Sequence, residues 1–166
     1  MTILDNFYQL MSSCVSETMI WANGNGPRPK QDFCTLEITP STPLPVHRGR
    51  VDEQGMRLTQ ASRIVEVQVQ FFGDEALSRA DSFSMRLWIE GVQDLSEALD
   101  IGILSVDRIQ SLPSLRDDAQ YEDRAIVDLT CHYLGSVEEF VSYIETVEAS
   151  AQVNELPPTP FTVHVE

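Results

Sequence analysis

The sequence predicts an α+β domain, an antiparallel (mixed) β-sheet with α-helices packed on one face. Three patterns carry that expectation. Val65, Val67, Val69 and Phe71 alternate with Glu66, Gln68 and Gln70, the two-residue period of a half-buried strand. Ala125, Val127, Leu129, Cys131 and Tyr133 alternate with Asp128, Thr130 and His132 in the same way. Ile3, Phe7, Leu10, Met11, Cys14, Val15 and Met19 recur at three- and four-residue steps, the apolar stripe of a helix. Strands apolar on one side need a cover, and amphipathic helices supply it.

Taken in order, the stripe predicts a helix over residues 3–21. It ends near Trp21 because Asn23-Gly24-Asn25-Gly26-Pro27-Arg28-Pro29 is turn and breaker chemistry. Phe33 to Thr39 reads as a strand with Cys34, Leu36 and Ile38 on one face. Pro40, Pro43 and Pro45 then open a long polar stretch, which predicts a projecting arm over 40–61, a loose hairpin turning near Gln54-Gly55. Arg63 to Phe72 is the clearest strand. A second helix follows Gly73, with Asp74 or Ser78 as its cap and Ala76, Leu77, Ala80, Phe83, Ser84, Leu87 and Trp88 as its buried stripe.

A short helix is expected over 94–100 with Leu95 and Leu99 inward, then a strand over 101–109 and a loop over 112–118. Arg124 to Leu134 is the second strong strand. Ser136-Val137-Glu138-Glu139 matches a capping box, so a helix with Val137, Phe140, Val141 and Ile144 on one side is expected there. Tyr143 to Val153 fits helix and strand equally. Pro157, Pro158 and Pro160 mark a linker before a short terminal strand from Phe161. One domain over 1–156 with a C-terminal extension over 157–166 accounts for the whole.

The charge balance narrows the function. Acidic residues outnumber basic ones 26 to 11, giving a net charge of −15. The excess grows along the chain: 6 against 5 in residues 1–60, 9 against 4 in 61–110, and 11 against 2 in 111–166. Nucleic-acid affinity comes mainly from Lys and Arg neutralising phosphates, so sequence-reading DNA or RNA binding is disfavoured. Residues 1–21 carry no basic n-region and no apolar run is long enough to span a bilayer. The three cysteines, Cys14, Cys34 and Cys131, have no C-x-x-C spacing, and a chain made and kept reduced in the cytoplasm is expected, with no membrane partner.

Chemistry-bearing motifs are scarce. There is no phosphate-binding G-x-x-x-x-G-K loop, no G-x-G-x-x-G and no G-x-S-x-G. His47, His132 and His164 are far apart, and Cys131 and His132, adjacent on a strand, face opposite sides. Asp117, Asp118, Glu122 and Asp123 form the densest acidic cluster. A metal-dependent hydrolase is the alternative it raises, but only Arg116 and Arg124 lie in that third of the chain to hold a phosphate. No catalytic residue, metal site or cofactor is therefore expected. Arg124, beside Glu122 and Asp123, reads as a local ion pair. Trp21, Arg28, Arg48, Arg50 and Val51 are the candidate interface residues, the last three on the arm.

Four pieces in this order resemble the phage neck or tail terminator (tail-completion) proteins. They are the segment Trp21 to Pro29, the strand Val65 to Gly73, the helix from Ala76 to Leu87, and Arg124 to Tyr133 followed by Ile144 to Glu148. The resemblance spans about residues 3–148. It implies a non-enzymatic virion component, a small α/β domain forming a homo-oligomeric, hexameric ring. That ring would cap the tail tube, meet the head-side connector or adaptor and the tube or sheath protein, and let DNA pass through its channel. On that expectation Asp117, Asp118, Glu122 and Asp123 line the channel, where acids repel phosphate. Another connector or adaptor of the tail machine is the alternative assignment.

Overall fold

The computed structural model describes residues 2–116, 120–141, 146–151 and 159–164. It divides into two compact units, one of Met1–Pro45 with Ala61–Gly135, the other of Val46–Gln60 with Ser136–Glu166. The first unit is the expected α+β arrangement. A five-stranded sheet has the order β1 (Thr18–Trp21), β2 (Phe33–Val51), β3 (Met56–Phe72), β7 (Arg124–Phe140), β4 (Ile101–Ser111), and three helices, α1 (Ile3–Ser13), α2 (Ala76–Arg86) and α3 (Glu90–Ala98), cover one face.

Helix α1 starts on a reciprocal cap: the Thr2 hydroxyl accepts from the Asp5 backbone N–H, and the Thr2 N–H donates to Asp5 Oδ2 at 2.8 Å. That N–H holds the Asp5 carboxyl below the usual carboxylate range. The helix stops at Ser13, short of the expected Trp21. Residues Thr18–Trp21 form strand β1 instead, parallel to the start of β2. The β-branched Thr18 and Ile20 suit an extended chain, and Met19 reaches the core from the strand as it would have from a helix. The Tyr8 hydroxyl donates to the Met19 carbonyl at 2.6 Å, tying helix to strand.

Strand β2 (Phe33–Val51) runs on well past the expected end at Thr39, through three prolines. β1 accompanies it only to Leu36. Beyond that point, among the described residues, β2 is an edge strand, where a missing N–H on the open side costs no ladder bond. The expected turn is present. Asp52 and Met56 close it through an N–H to carbonyl bond of 2.8 Å, and Gly55 takes a φ of 76°. The return strand β3 (Met56–Phe72) is correspondingly longer than residues 63–72.

Gly73 sits at φ 102°, and an added Cβ would lie 2.0 Å from Asp32 Oδ1, so a glycine is required there. Neither Asp74 nor Ser78 caps α2. Its N-cap is Glu75 in the left-handed region, with no side-chain cap. Ala76, Ala80, Phe83 and Leu87 form the buried stripe, while Leu77 and Trp88 are half exposed. Leu77 lies one residue round from the stripe, and Trp88 lies beyond the helix end. Helix α3 begins earlier than expected, at Glu90, with Leu95 and Leu99 turned inward.

Strand β4 (Ile101–Ser111) pairs antiparallel with β7 (Arg124–Phe140), from Ile101 opposite Tyr133 to Ser111 opposite Ala125. Between them a short hairpin, β5 (Ser114–Arg116) with β6 (Gln120–Glu122), occupies much of the expected loop. The buried layer is Val65, Val67, Val69 and Phe71 of β3 with Ala125, Val127, Leu129 and Cys131 of β7, as the alternation predicted.

In the second unit the helix expected from Ser136 is absent: β7 continues as a strand to Phe140. Arg57 of β3 faces Glu139 at 3.8 Å, and the Val141 N–H donates to the Gly55 carbonyl at 2.7 Å. Pairing with β3 therefore satisfies backbone groups that a helix would have satisfied internally. Val137 and Phe140 are 68% and 71% exposed, so no apolar stripe here anchors a helix. Strands β8 (Thr146–Ala151) and β9 (Thr159–His164) form a separate antiparallel hairpin. The segment that fitted helix and strand equally is thus strand over 146–151, and Pro160 lies within the terminal strand, which begins at Thr159, rather than in a linker. Tyr143, Ile144, Pro157 and Pro158 lie outside the described residues.

Candidate interaction site

Opposite the helices, the first unit presents a sheet face built from the polar members of each alternating strand. At one end Phe33 and Phe72 stack at 4.8 Å, 8° from parallel. The Arg28 guanidinium lies over both rings, 5.0 Å from Phe33 and 5.5 Å from Phe72, and Arg124 lies 5.5 Å from Phe72. Arg28 also forms an ion pair with Glu122 of β6. Arg124 does not pair with its neighbours Glu122 and Asp123 as expected. Its Nη2 donates to Gln70 Oε1 at 2.7 Å, because the strand alternation turns it onto the same face as Gln70.

From Gln70 a hydrogen-bonded ladder crosses the sheet. The Gln70 amide donates to Gln68 Oε1, and the Gln68 amide donates to Asp128 Oδ1 at 2.8 Å. Arg108 of β4 closes on Asp128 Oδ2 at 3.0 Å, and Thr130 donates to Asp107 at 2.7 Å. Each carboxylate here has a donor and each amide a partner. The arrangement rigidifies the face and leaves it hydrophilic, a surface suited to contact rather than to bond chemistry.

Beside the Arg28 cluster is an open cleft of about 340 Å³, lined among others by Lys30, Asp32, Asp74 and Tyr121. Arg79 of α2, 4.0 Å from Asp32 of the cleft lining, braces the neighbouring backbone. It donates to Glu17 at 3.0 Å and to the carbonyls of Phe72 and Asp74 at 2.9 and 3.0 Å. The local sequence gave no hint of the Glu17–Arg79 pair, which joins residues 62 apart. The glutamines of β3 were visible as outward-facing, but not their partners.

The candidate residues are distributed as follows. Trp21 is on β1, half buried, its ring 5.6 Å from Tyr8. Arg28 and Glu122 are brought together. Asp123 is exposed, and its carbonyl accepts from the Gly73 N–H at 3.1 Å. Asp117 and Asp118 lie outside the described residues. Arg48 and Arg50 are exposed on β2 in the second unit, with Val51 half buried at the hairpin's end.

Cys131 is fully buried and His132 exposed, on opposite faces as expected. Burial, with Asp107 nearby, pushes the Cys131 thiol up to about 12. Burial, with Glu17 nearby, does the same for Cys34. Burial also raises the Cys14 thiol. Such thiols are poor nucleophiles. Among the described residues no group of three or more His, Cys, Asp or Glu side chains is placed to hold a metal ion. No helix among them is long and apolar enough to cross a membrane.

A family model described as "Phage neck terminator protein" matches residues 1–157. No curated protein matches the chain.

Proposed function

The chain belongs to the phage neck terminator family, and from that premise we propose that it assembles into a ring that caps the tail tube and joins it to the head-side connector. It is a structural protein of the virion neck, not an enzyme. The observation that carries the proposal is the extent of the family match, which takes in both the helix-covered sheet and the hairpin arm.

The physical features agree with a ring. A head-to-tail ring needs two different patches per subunit. The chain offers a rigid polar sheet face around Arg28 and an exposed basic arm at Arg48 and Arg50. Its partners are then further copies of itself, six in the expected ring, the head-side connector or adaptor, and the tube or sheath protein. The net charge of −15 suits a passage through which DNA moves without being held. The segment carrying Asp117, Asp118, Glu122 and Asp123 is assigned to the channel wall, with Glu122 anchored by Arg28 and Asp123 exposed.

Native mass measurement and negative-stain images of the purified protein, alone and mixed with tail tubes, test this. Rings, or subunits that assemble at tube ends, are expected. A chain that stays monomeric in both conditions overturns the reading.

A further inference from the structure

Among the described residues, two strand edges of the second unit have no neighbour. β2 pairs with β3 on one side, and on the other β1 ends at Trp21, opposite Leu36. Among the described residues Val46–Val51 therefore has an open flank. β7 pairs with β3 on one side, and on the other β4 begins at Ile101, opposite Tyr133. Ser136–Phe140 is open in the same sense. Among the described residues the tip is a three-stranded sheet, β2-β3-β7, unpaired on both sides, with β8 and β9 of the same unit paired only to each other; such edges are an association surface.

The two flanks carry opposite charge. Arg48 and Arg50 are exposed on β2, and among the described residues neither is in an ion pair. Glu138 and Glu139 are exposed on β7, the second at 3.8 Å from Arg57. Pairing two β2 edges would set arginine against arginine, and pairing two β7 edges glutamate against glutamate. Like charges directly opposite destabilise a ladder. Only β2 against β7 matches charge.

The strand directions fit a closed ring. A tight turn reverses β2 into β3. Hydrogen bonds from Gly73 to Asp123 and from Val141 to Gly55 tie opposite ends of β3 and β7, so those two strands are antiparallel. β2 and β7 thus run the same way. Rotating one copy beside the next brings β7 of the first alongside β2 of the second in parallel.

We propose that the free edge of β2 (Val46–Val51) in one copy pairs with the free edge of β7 (Ser136–Phe140) in the next, with Arg48 and Arg50, which share one face of β2, against Glu138; Glu139, adjacent in the strand, faces the other side beside Arg57. The occupant of each edge is a second copy of this chain, and the inference rests on the ring reading. Continued around a ring, the pairing abolishes every open edge of the tip. Six copies would close roughly eighteen strands, a size at which barrels enclose an aqueous channel.

Charge reversal tests the pairing. Arg48→Glu with Arg50→Glu, and separately Glu138→Lys, turn the attraction into repulsion. Each variant should weaken assembly about tenfold or more per interface. Mixing the two variants one to one, or combining the three changes in one chain, should restore it. Circular dichroism and thermal unfolding of each variant report folding. Glu139 is left in place because it is the partner of Arg57. Wild-type rings with an unchanged assembly midpoint in folded arginine variants would overturn the edge pairing and leave the ring reading intact. Reversed variants that both weaken but fail to rescue one another also overturn it. A wild type monomeric alone and on tubes overturns both.

Discussion

Arg28 and Glu122, 94 positions apart, form one ion pair at the edge of the stacked Phe33–Phe72 rings. The sequence offered them for separate roles, the cation as an interface residue and the carboxylate as part of an acidic cluster. Their union has a structural consequence. The Glu122 side chain is only 11% exposed, and a carboxylate so far removed from water needs a charged partner. Arg28 meets that need while its guanidinium covers two aromatic faces.

Replacing Arg28 should therefore cost more than an ordinary surface substitution. Arg28→Ala removes the ion pair and the stacking together, and a loss of about 1–3 kcal/mol in unfolding free energy is expected. Arg28→Lys should recover only part, because an ammonium cannot lie flat over both rings. Urea unfolding of the two variants against wild type measures both. Equal stability of Arg28→Ala and wild type would show the pair to be incidental.

The buried thiols set an alkaline limit on stability. Burial pushes the Cys34 and Cys131 thiols up to about 12 in the folded chain, from 9.0 for an exposed thiol in the unfolded one. Below the unfolded value both states hold the proton, and stability does not depend on these groups. Between about 9 and 12 the unfolded chain releases the proton that the folded chain keeps. Unfolding free energy should then fall by up to about 1.4 kcal/mol per pH unit per thiol. Denaturant unfolding at pH 8, 9.5 and 10.5 reads the slope, and Cys131→Ala should make it shallower. Thiol-reactive dyes should label neither residue at pH 8 until the chain is unfolded.

Helix α3 ends on a residue held in an unfavourable conformation. Asp100 has a φ of 54°, and its N–H bonds to the Glu97 carbonyl at 3.1 Å just past the C-cap Leu99. Glycine is preferred at such a position because it has no Cβ to strain. Asp100→Gly should stabilise the chain by about 0.5–1 kcal/mol, visible as a rise of about 1–4 °C in the unfolding midpoint. Asp100→Val, branched at Cβ, should lower it.

What the sequence revealed and what it hid divide along a physical line. The buried layer of β3 and β7 was legible because alternation over four or five residues has one structural meaning. The α2 stripe was legible for the same reason, apart from Leu77 and Trp88 at its margins. The Ser136 capping box misled because Ser-x-x-Glu is a local signal. Whether it opens a helix depends on an apolar face downstream, and a strand partner at Arg57 and Gly55 was available instead. Trp21 misled in a related way, since Met19 fits the core from helix or strand. The Arg28–Glu122 and Glu17–Arg79 pairs were hidden because only the folded topology brings those residues together.

The tip of the arm should depend on one side chain. Asp52 Oδ1 accepts from the backbone N–H of Gln54 at 2.9 Å and of Met56 at 2.8 Å, holding the turn while its own N–H closes on the Met56 carbonyl. Asp52→Ala leaves those two amides to water, and a local cost of about 1–2 kcal/mol is expected. The loss should appear as faster amide exchange at Gln54 and Met56, with the amides of Val67 and Val127 in the sheet interior unaffected. Asp52→Asn keeps an acceptor at the same position and should retain most of the protection. If ring assembly uses the arm, Asp52→Ala should also raise the concentration needed for assembly, whereas Asp52→Asn should leave it close to wild type. Unchanged exchange at both amides in Asp52→Ala would show that the strands, and not this carboxylate, hold the turn.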